Sequence, residues 1–184
     1  MSVPIYCCGM MRSGSTVLYQ AVSAIIEARG LGGRAGYYEP PNRPAERDGG
    51  FAVYKIPWLG DYERQRIADG CYVFYSYREI EEALTSAWSK LGIAPALRPM
   101  WRYVVTAHDR EMQQIKAARL VPFELWQDMR LAVECIAAML PGFDLEKWQL
   151  DRIAADLALP RQKARPKVYP MDPHTLLTPH HFGN

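Results

Sequence analysis

Gly9-Met10-Met11-Arg12-Ser13-Gly14-Ser15-Thr16 separates two short stretches of different periodicity. Before it, Val3 to Cys8 is an apolar run of strand length. After it, Val17, Leu18, Ala21, Val22, Ile25 and Ile26 recur at helical spacing over 15–29, and Gly30 can take the left-handed conformation that closes a helix. Strand, tight loop and helix in this order, with glycines at the first and sixth loop positions, fit the phosphate-binding pattern G-x-x-x-x-G-K-[ST] in the context it requires. Backbone amides then converge on an anion at a helix N-terminus. The pattern is broken at one place, because Ser15 stands where a nucleoside-triphosphate enzyme keeps its Lys, which disfavours ordinary ATP or GTP hydrolysis. The cation sits inside the loop instead, as Arg12, whose forked donors match a pair of phosphate or sulfate oxygens. A cysteine-dependent phosphatase loop does not fit. Four residues separate Cys7 from Arg12 and three separate Cys8 from it, too few for that chemistry.

Further along, 51–56 and 71–77 are rich in β-branched and aromatic residues, as strands buried on both faces are. Helical patterns follow at 79–91, 100–118, 124–140 and 145–159, with a short strand at 119–123. A Gly-rich connection leads from Gly30 to Tyr37-Tyr38-Glu39-Pro40-Pro41, where the prolines forbid a helix. The tail from Pro160 is Pro-rich and basic and reads as an extended strap. The expected fold is α/β: a three-layer, P-loop-type parallel sheet flanked by helices, with additional C-terminal helices. Such sheets bind ligands beyond the carboxyl ends of their strands.

At 184 residues and 49% apolar composition the chain suits a single domain over 1–184 with one buried core. A net charge of +2 excludes a protein built mainly to neutralise nucleic acid. No export signal and no segment of membrane-spanning length stands out. The cysteines Cys7, Cys8, Cys71 and Cys135 lack zinc-ligand spacing and read as reduced, small hydrophobes, which places the protein in the cytoplasm.

These residues resemble the sulfotransferases that use 3′-phosphoadenosine 5′-phosphosulfate (PAPS). That family's first strand ends in a loop of type [K/R]-[S/G]-G-[S/T]-[S/T], which Arg12-Ser13-Gly14-Ser15-Thr16 fits. The Arg-Ser-Gly-Ser form is similar to carbohydrate-type and bacterial members. A second family motif pairs an Arg at a later strand end with a Ser eight positions on, matched by Arg78 and Ser86. The resemblance runs more weakly to Leu157-Ala158-Leu159-Pro160 and to Asp172-Pro173-His174 and His180-His181. It implies that Arg12, Ser13, Gly14, Ser15 and Thr16 hold the 5′-phosphosulfate, that Arg78 and Ser86 hold the 3′-phosphate, and that the acceptor is a small-molecule or carbohydrate hydroxyl. It implies no metal.

The resemblance also guides the choice of base. Cytosolic members use a His two residues after a strand-end Lys, but Lys55-Ile56-Pro57 puts Pro57 in that position. Carbohydrate-type members use a Glu on an early loop, to which Glu39 corresponds, and a carboxylate desolvated beside Tyr37 and Tyr38 is a stronger proton acceptor. Lys55 corresponds to a family lysine that contacts the sulfuryl group. His108 lies within a helical pattern and reads as structural or exposed. His174, His180 and His181 lack companion ligands for a metal, and Arg161, Lys163, Arg165 and Lys167 read as a solvated strip. Trp58, Trp88 and Trp101 read as core residues, with pocket lining or adenine stacking as the alternative. The family's Gly-rich basic loop, which closes over the nucleotide, would begin about where this chain reaches Phe182-Gly183-Asn184. The alternatives in function are a small-molecule or nucleotide kinase on the same scaffold and a catalytically silent nucleotide-binding protein. Oligomeric state is not legible.

Overall fold

The computed structural model describes residues 2–10, 12–40, 42, 44, 48–140, 142 and 144–158. Its five strands, β1 (Val3–Gly9), β2 (Gly32–Tyr37), β3 (Phe51–Lys55), β4 (Tyr72–Tyr77) and β5 (Ala118–Pro122), form one parallel sheet in the order β2-β3-β1-β4-β5. The chain moves from β1 to one side of the sheet for β2 and β3, then to the other for β4 and β5. A crevice therefore opens at the carboxyl end of β1, where the strand order reverses and where such sheets take ligands.

Side chains alternate across the sheet and define the layers. Ile5, Cys7, Val53 and Phe74 face a core shared with α1 (Ser15–Ala28), α5 (Met129–Ala138) and α6 (Lys147–Ala158). Tyr6, Cys8, Tyr54, Val73 and Tyr75 face a second core with α2 (Asp61–Ala68), α3 (Ile80–Leu91) and α4 (Arg98–Gln114). This is the three-layer α/β architecture expected from the sequence, with the C-terminal helices α5 and α6 joining the layer of α1.

The differences from the expected elements have local causes. β2 was expected as a Gly-rich connection. It is an edge strand, because Gly32 lets the two backbones approach so closely that a Cβ there would lie 2.0 Å from the Phe51 carbonyl oxygen. The helix expected over 100–118 begins at Arg98, since Pro99 is tolerated in a first turn, and ends at Gln114, where Ile115 turns extended before Ala118 pairs with Val73. The helix expected over 124–140 is divided at Asp128, whose carboxylate accepts from the Leu131 N–H (3.0 Å) and starts α5; Phe123–Gln127 is a separate 3₁₀ turn. α2 carries only Glu63 and Ile67 as buried residues, too sparse an apolar pattern to announce a helix. The strap expected from Pro160 lies outside the described residues.

Phe74 is fully buried at the centre of the sheet. Phe74→Ala is expected to lower stability by about 3–5 kcal/mol, read as a fall in urea midpoint at unchanged slope.

Candidate functional site

The loop after β1 is fastened from below by β4. The Met10 amide donates to the Ser76 carbonyl at 3.0 Å and the Ser13 amide to the Met10 carbonyl at 3.1 Å. The Ser13 hydroxyl, fully buried, lies 2.6 Å from the Met10 carbonyl oxygen and 2.7 Å from that of Ser76, while the Ser76 hydroxyl donates to the Ser13 carbonyl. Ser13, expected among the ligand-binding residues, thus spends its side chain and its amide on holding the loop.

Two glycines are needed by close approach. A Cβ on Gly9 would lie 2.5 Å from Ser15 Cβ, and one on Gly14, at φ +87°, would lie 2.6 Å from Trp126 Nε1. Arg12 is a non-glycine residue in the left-handed region (φ 63°), which costs roughly 1–2 kcal/mol. The interlocked serines hold it there. Gly14 is the N-cap of α1 and has no side chain to cap it, so the first-turn N–H groups of Ser15, Thr16 and Val17 have no intrahelical acceptor. Uncapped amides, the helix dipole and a nearby guanidinium together form a receptor for an anion.

Arg12 reaches the second motif. Its Nε donates to Ser86 Oγ on α3 at 3.3 Å, and Ser86 lines a cavity of about 410 Å³ with Arg78, Glu81, Glu82 and Thr85. Arg78, just past β4, lies with its guanidinium 4.2 Å over the Phe123 ring and bonds Glu82 through Nε at 2.9 Å. This i,i+4 pair with an exposed Glu is worth only about 0.3–0.5 kcal/mol, so a phosphate can displace it. Arg12, Ser86 and Arg78 therefore converge across two motifs 74 residues apart in sequence.

Lys55, at the end of β3, donates through Nζ to Thr16 Oγ1 at 2.8 Å, and its ammonium stands 5.9 Å from the Tyr37 ring centroid. Burial pushes its pKa down to about 8. Lys55 and Ser15 line a second cavity, about 570 Å³, whose other walls include Met10, Ile56, Pro57, Trp58, Trp101, Val104 and His108. Trp58 (44% exposed) forms its rim rather than the core, contrary to its sequence reading; Trp101 also lines this cavity, while Trp88 lies under Arg98 and Arg102. Glu39 is exposed. Its carboxylate accepts from the Tyr37 phenol, whereas Tyr38 turns into the core to donate to Glu63 Oε1 at 2.8 Å. The desolvation expected for Glu39 between two tyrosines is therefore absent.

Trp126 was not singled out from the sequence. Its indole nitrogen is buried against Gly14 without a hydrogen-bond partner among the described residues, and no sequence signal connects it to a loop over 110 residues away. Cys7 and Cys8 are fully buried and burial pushes both thiols far up, which deprives them of nucleophilic character. Among the described residues no group of three or more His, Cys, Asp or Glu is placed to hold a metal ion, and no helix is long and apolar enough to cross a membrane. His174, His180, His181, the basic strip from Arg161 to Lys167, and Leu159-Pro160 lie outside the described residues.

No protein-family model matches the chain, and no curated protein matches it in sequence. Among solved structures the chain is similar to mouse sulfotransferase SULT7A1, crystallised in complex with PAP, with a TM-score of 0.60 at 15% identity. The match covers 89% of this chain and 66% of that one, just under two thirds of the mouse protein's length. The likeness is one of fold.

Because the folded-state pKa of Lys55 lies below its unfolded value, the unfolded chain binds the extra proton between about pH 8 and 10.5, and folding stability contributed by this group rises with pH across that window. Replacing Lys55 by Met is expected to remove a rise of order 1–3 kcal/mol, seen as the difference between wild-type and variant urea midpoints measured from pH 7 to 10.

Proposed function

We propose that the protein is a sulfotransferase that takes a sulfuryl group from PAPS and passes it to the hydroxyl of a small acceptor. The observation that carries this reading is the 3.3 Å contact between Arg12 on the loop and Ser86 on α3, which joins a 5′-phosphosulfate motif to a 3′-phosphate motif in one crevice. The fold likeness to a sulfotransferase supports it.

The residues present fit the donor. The uncapped amides of Ser15 and Thr16, the peptide turn at Gly14 and the fork of Arg12 would hold the 5′-phosphosulfate end, with Ser13 keeping the loop in shape. Arg78 and Ser86 would hold the 3′-phosphate. Lys55, beside Thr16 and on the wall of the larger cavity, is placed to touch the sulfuryl group. Sulfuryl transfer passes through a loose, in-line transition state, so positioning and fixed positive charge supply most of the rate.

The acceptor would lie in the 570 Å³ cavity. Its walls of Trp58, Trp101, Val104, Ile56 and Met10 favour an apolar body carrying a hydroxyl over a polyhydroxylated sugar, whose many polar groups would go unpaired there. Cys7, Cys8 and Cys71, buried free thiols, support a cytoplasmic location.

Titration calorimetry with PAP tests the reading. The wild-type chain is expected to bind it, and Arg12→Ala to weaken binding about 10–100-fold, the worth of one or two charge-assisted hydrogen bonds. Wild-type binding with an unchanged affinity in the variant would remove Arg12 from the site.

A further inference from the structure

We propose that His108 of α4 accepts the proton of the acceptor hydroxyl, so that the base is delivered by a flanking helix rather than by a strand-end loop. The inference rests on the sulfotransferase reading and adds to it a residue that sequence spacing pointed away from.

The cavity supplies the geometry. Trp101, Val104, Val105 and His108 follow one another at i, i+3, i+4 and i+7 on α4, so one face of that helix forms a wall of the cavity that Ser15 and Lys55 close from the sheet side. Nε2 of His108 is buried and has no hydrogen-bond partner among the described residues. A buried polar atom left without a partner is costly unless a ligand supplies one. With its hydrogen on Nδ1, the ring carries a free lone pair on Nε2.

The ring is held in place. It packs edge-to-face on Tyr75 of β4, with centroids 5.8 Å apart and planes at 80°. The next residue, Asp109, fastens α4 to the sheet by accepting from the Tyr75 hydroxyl at 2.9 Å and from Gln113 Nε2 at 2.8 Å. Burial lowers the imidazole pKa. Glu111 and Asp109 oppose that shift and Arg64 of α2 adds to it, while Arg64 and Glu111 are themselves paired. Lys55 faces the same cavity from β3. The ring is therefore neutral at neutral pH and able to take a proton. Glu39, by contrast, is solvated and already accepts the Tyr37 hydroxyl.

In the step itself the acceptor oxygen forms a bond to sulfur as its hydrogen passes to Nε2. The bond between sulfur and the bridging phosphate oxygen breaks, and its electron pair leaves with the phosphate towards Arg12 and the loop amides. The products are the sulfate ester, PAP and an imidazolium, which returns its proton to water when the ester departs.

The test uses the full chain with PAPS and 2-naphthol as donor and acceptor, PAP affinity by calorimetry, and NMR of the His108 Cε1–H signal identified by its loss in H108Q. In the wild type that signal is expected to titrate below the ordinary histidine value and to shift when 2-naphthol is added. H108Q is expected to bind PAP within about twofold of wild type, to lose roughly 100-fold or more in kcat, and to lose the acidic limb of the pH–rate profile. Imidazole added to H108A should restore part of the rate. Turnover and acidic limb intact in H108Q, with both lost in E39Q, overturns the role of His108 and leaves the sulfotransferase reading standing. Failure of the wild-type chain to bind PAP or to transfer sulfuryl to 2-naphthol overturns both.

Discussion

Two serines facing each other across β1 and β4 set the shape of everything above them. Ser13 and Ser76 exchange hydroxyl-to-carbonyl hydrogen bonds while the Met10 amide donates to the Ser76 carbonyl. Every polar group in this knot is buried, so its satisfied state is strongly preferred and the loop has little freedom to spread. That fixed turn leaves the first-turn amides of α1 uncapped and holds Arg12 in the left-handed conformation from which it reaches Ser86. A flexible loop would settle into an ordinary turn. The small strain at Arg12 is offset by the surrounding bonds, an arrangement typical of preorganised sites.

From this point the site divides by polarity. On one side of the loop Arg12 bonds Ser86, which with Arg78 lines a shallow cavity near α3; on the other, Lys55 lines an apolar cavity walled by α4 and the end of β3. The crevice at the reversal of strand order therefore offers guanidinium groups where the phosphates of a nucleotide would sit and apolar walls where an acceptor would. Lys55 lies on the boundary, bonded to Thr16 of the loop yet desolvated enough for its pKa to fall to about 8. Lowering the dielectric around that ammonium strengthens its attraction for an anion brought beside it.

Much of this was legible in the chain because its signals are local. The strand, loop and helix around Gly9 to Thr16 follow from periodicity and two glycines, and Arg78 with Ser86 is a spacing within one strand-helix unit. What stayed hidden depends on contacts between distant segments. β2 is a strand only because Gly32 can lie against Phe51, and Trp126 approaches Gly14 only once β5 has joined the sheet. Glu39 looked desolvated because Tyr37 and Tyr38 adjoin it, but successive residues of an extended segment point opposite ways: Tyr38 enters one core, Tyr37 packs partly against the other, and Glu39 stays exposed. His108 shows the reverse case: a helical pattern records which face is apolar and is silent on the cavity that face borders.

The most direct measurement is a crystal structure of the protein with PAP. The account predicts the 5′-phosphate within about 3 Å of the loop amides and the Arg12 guanidinium, and the 3′-phosphate between Arg78 and Ser86. A nucleotide bound away from the carboxyl end of β1, or bound there with both Arg12 and Arg78 turned from its phosphates, would contradict it.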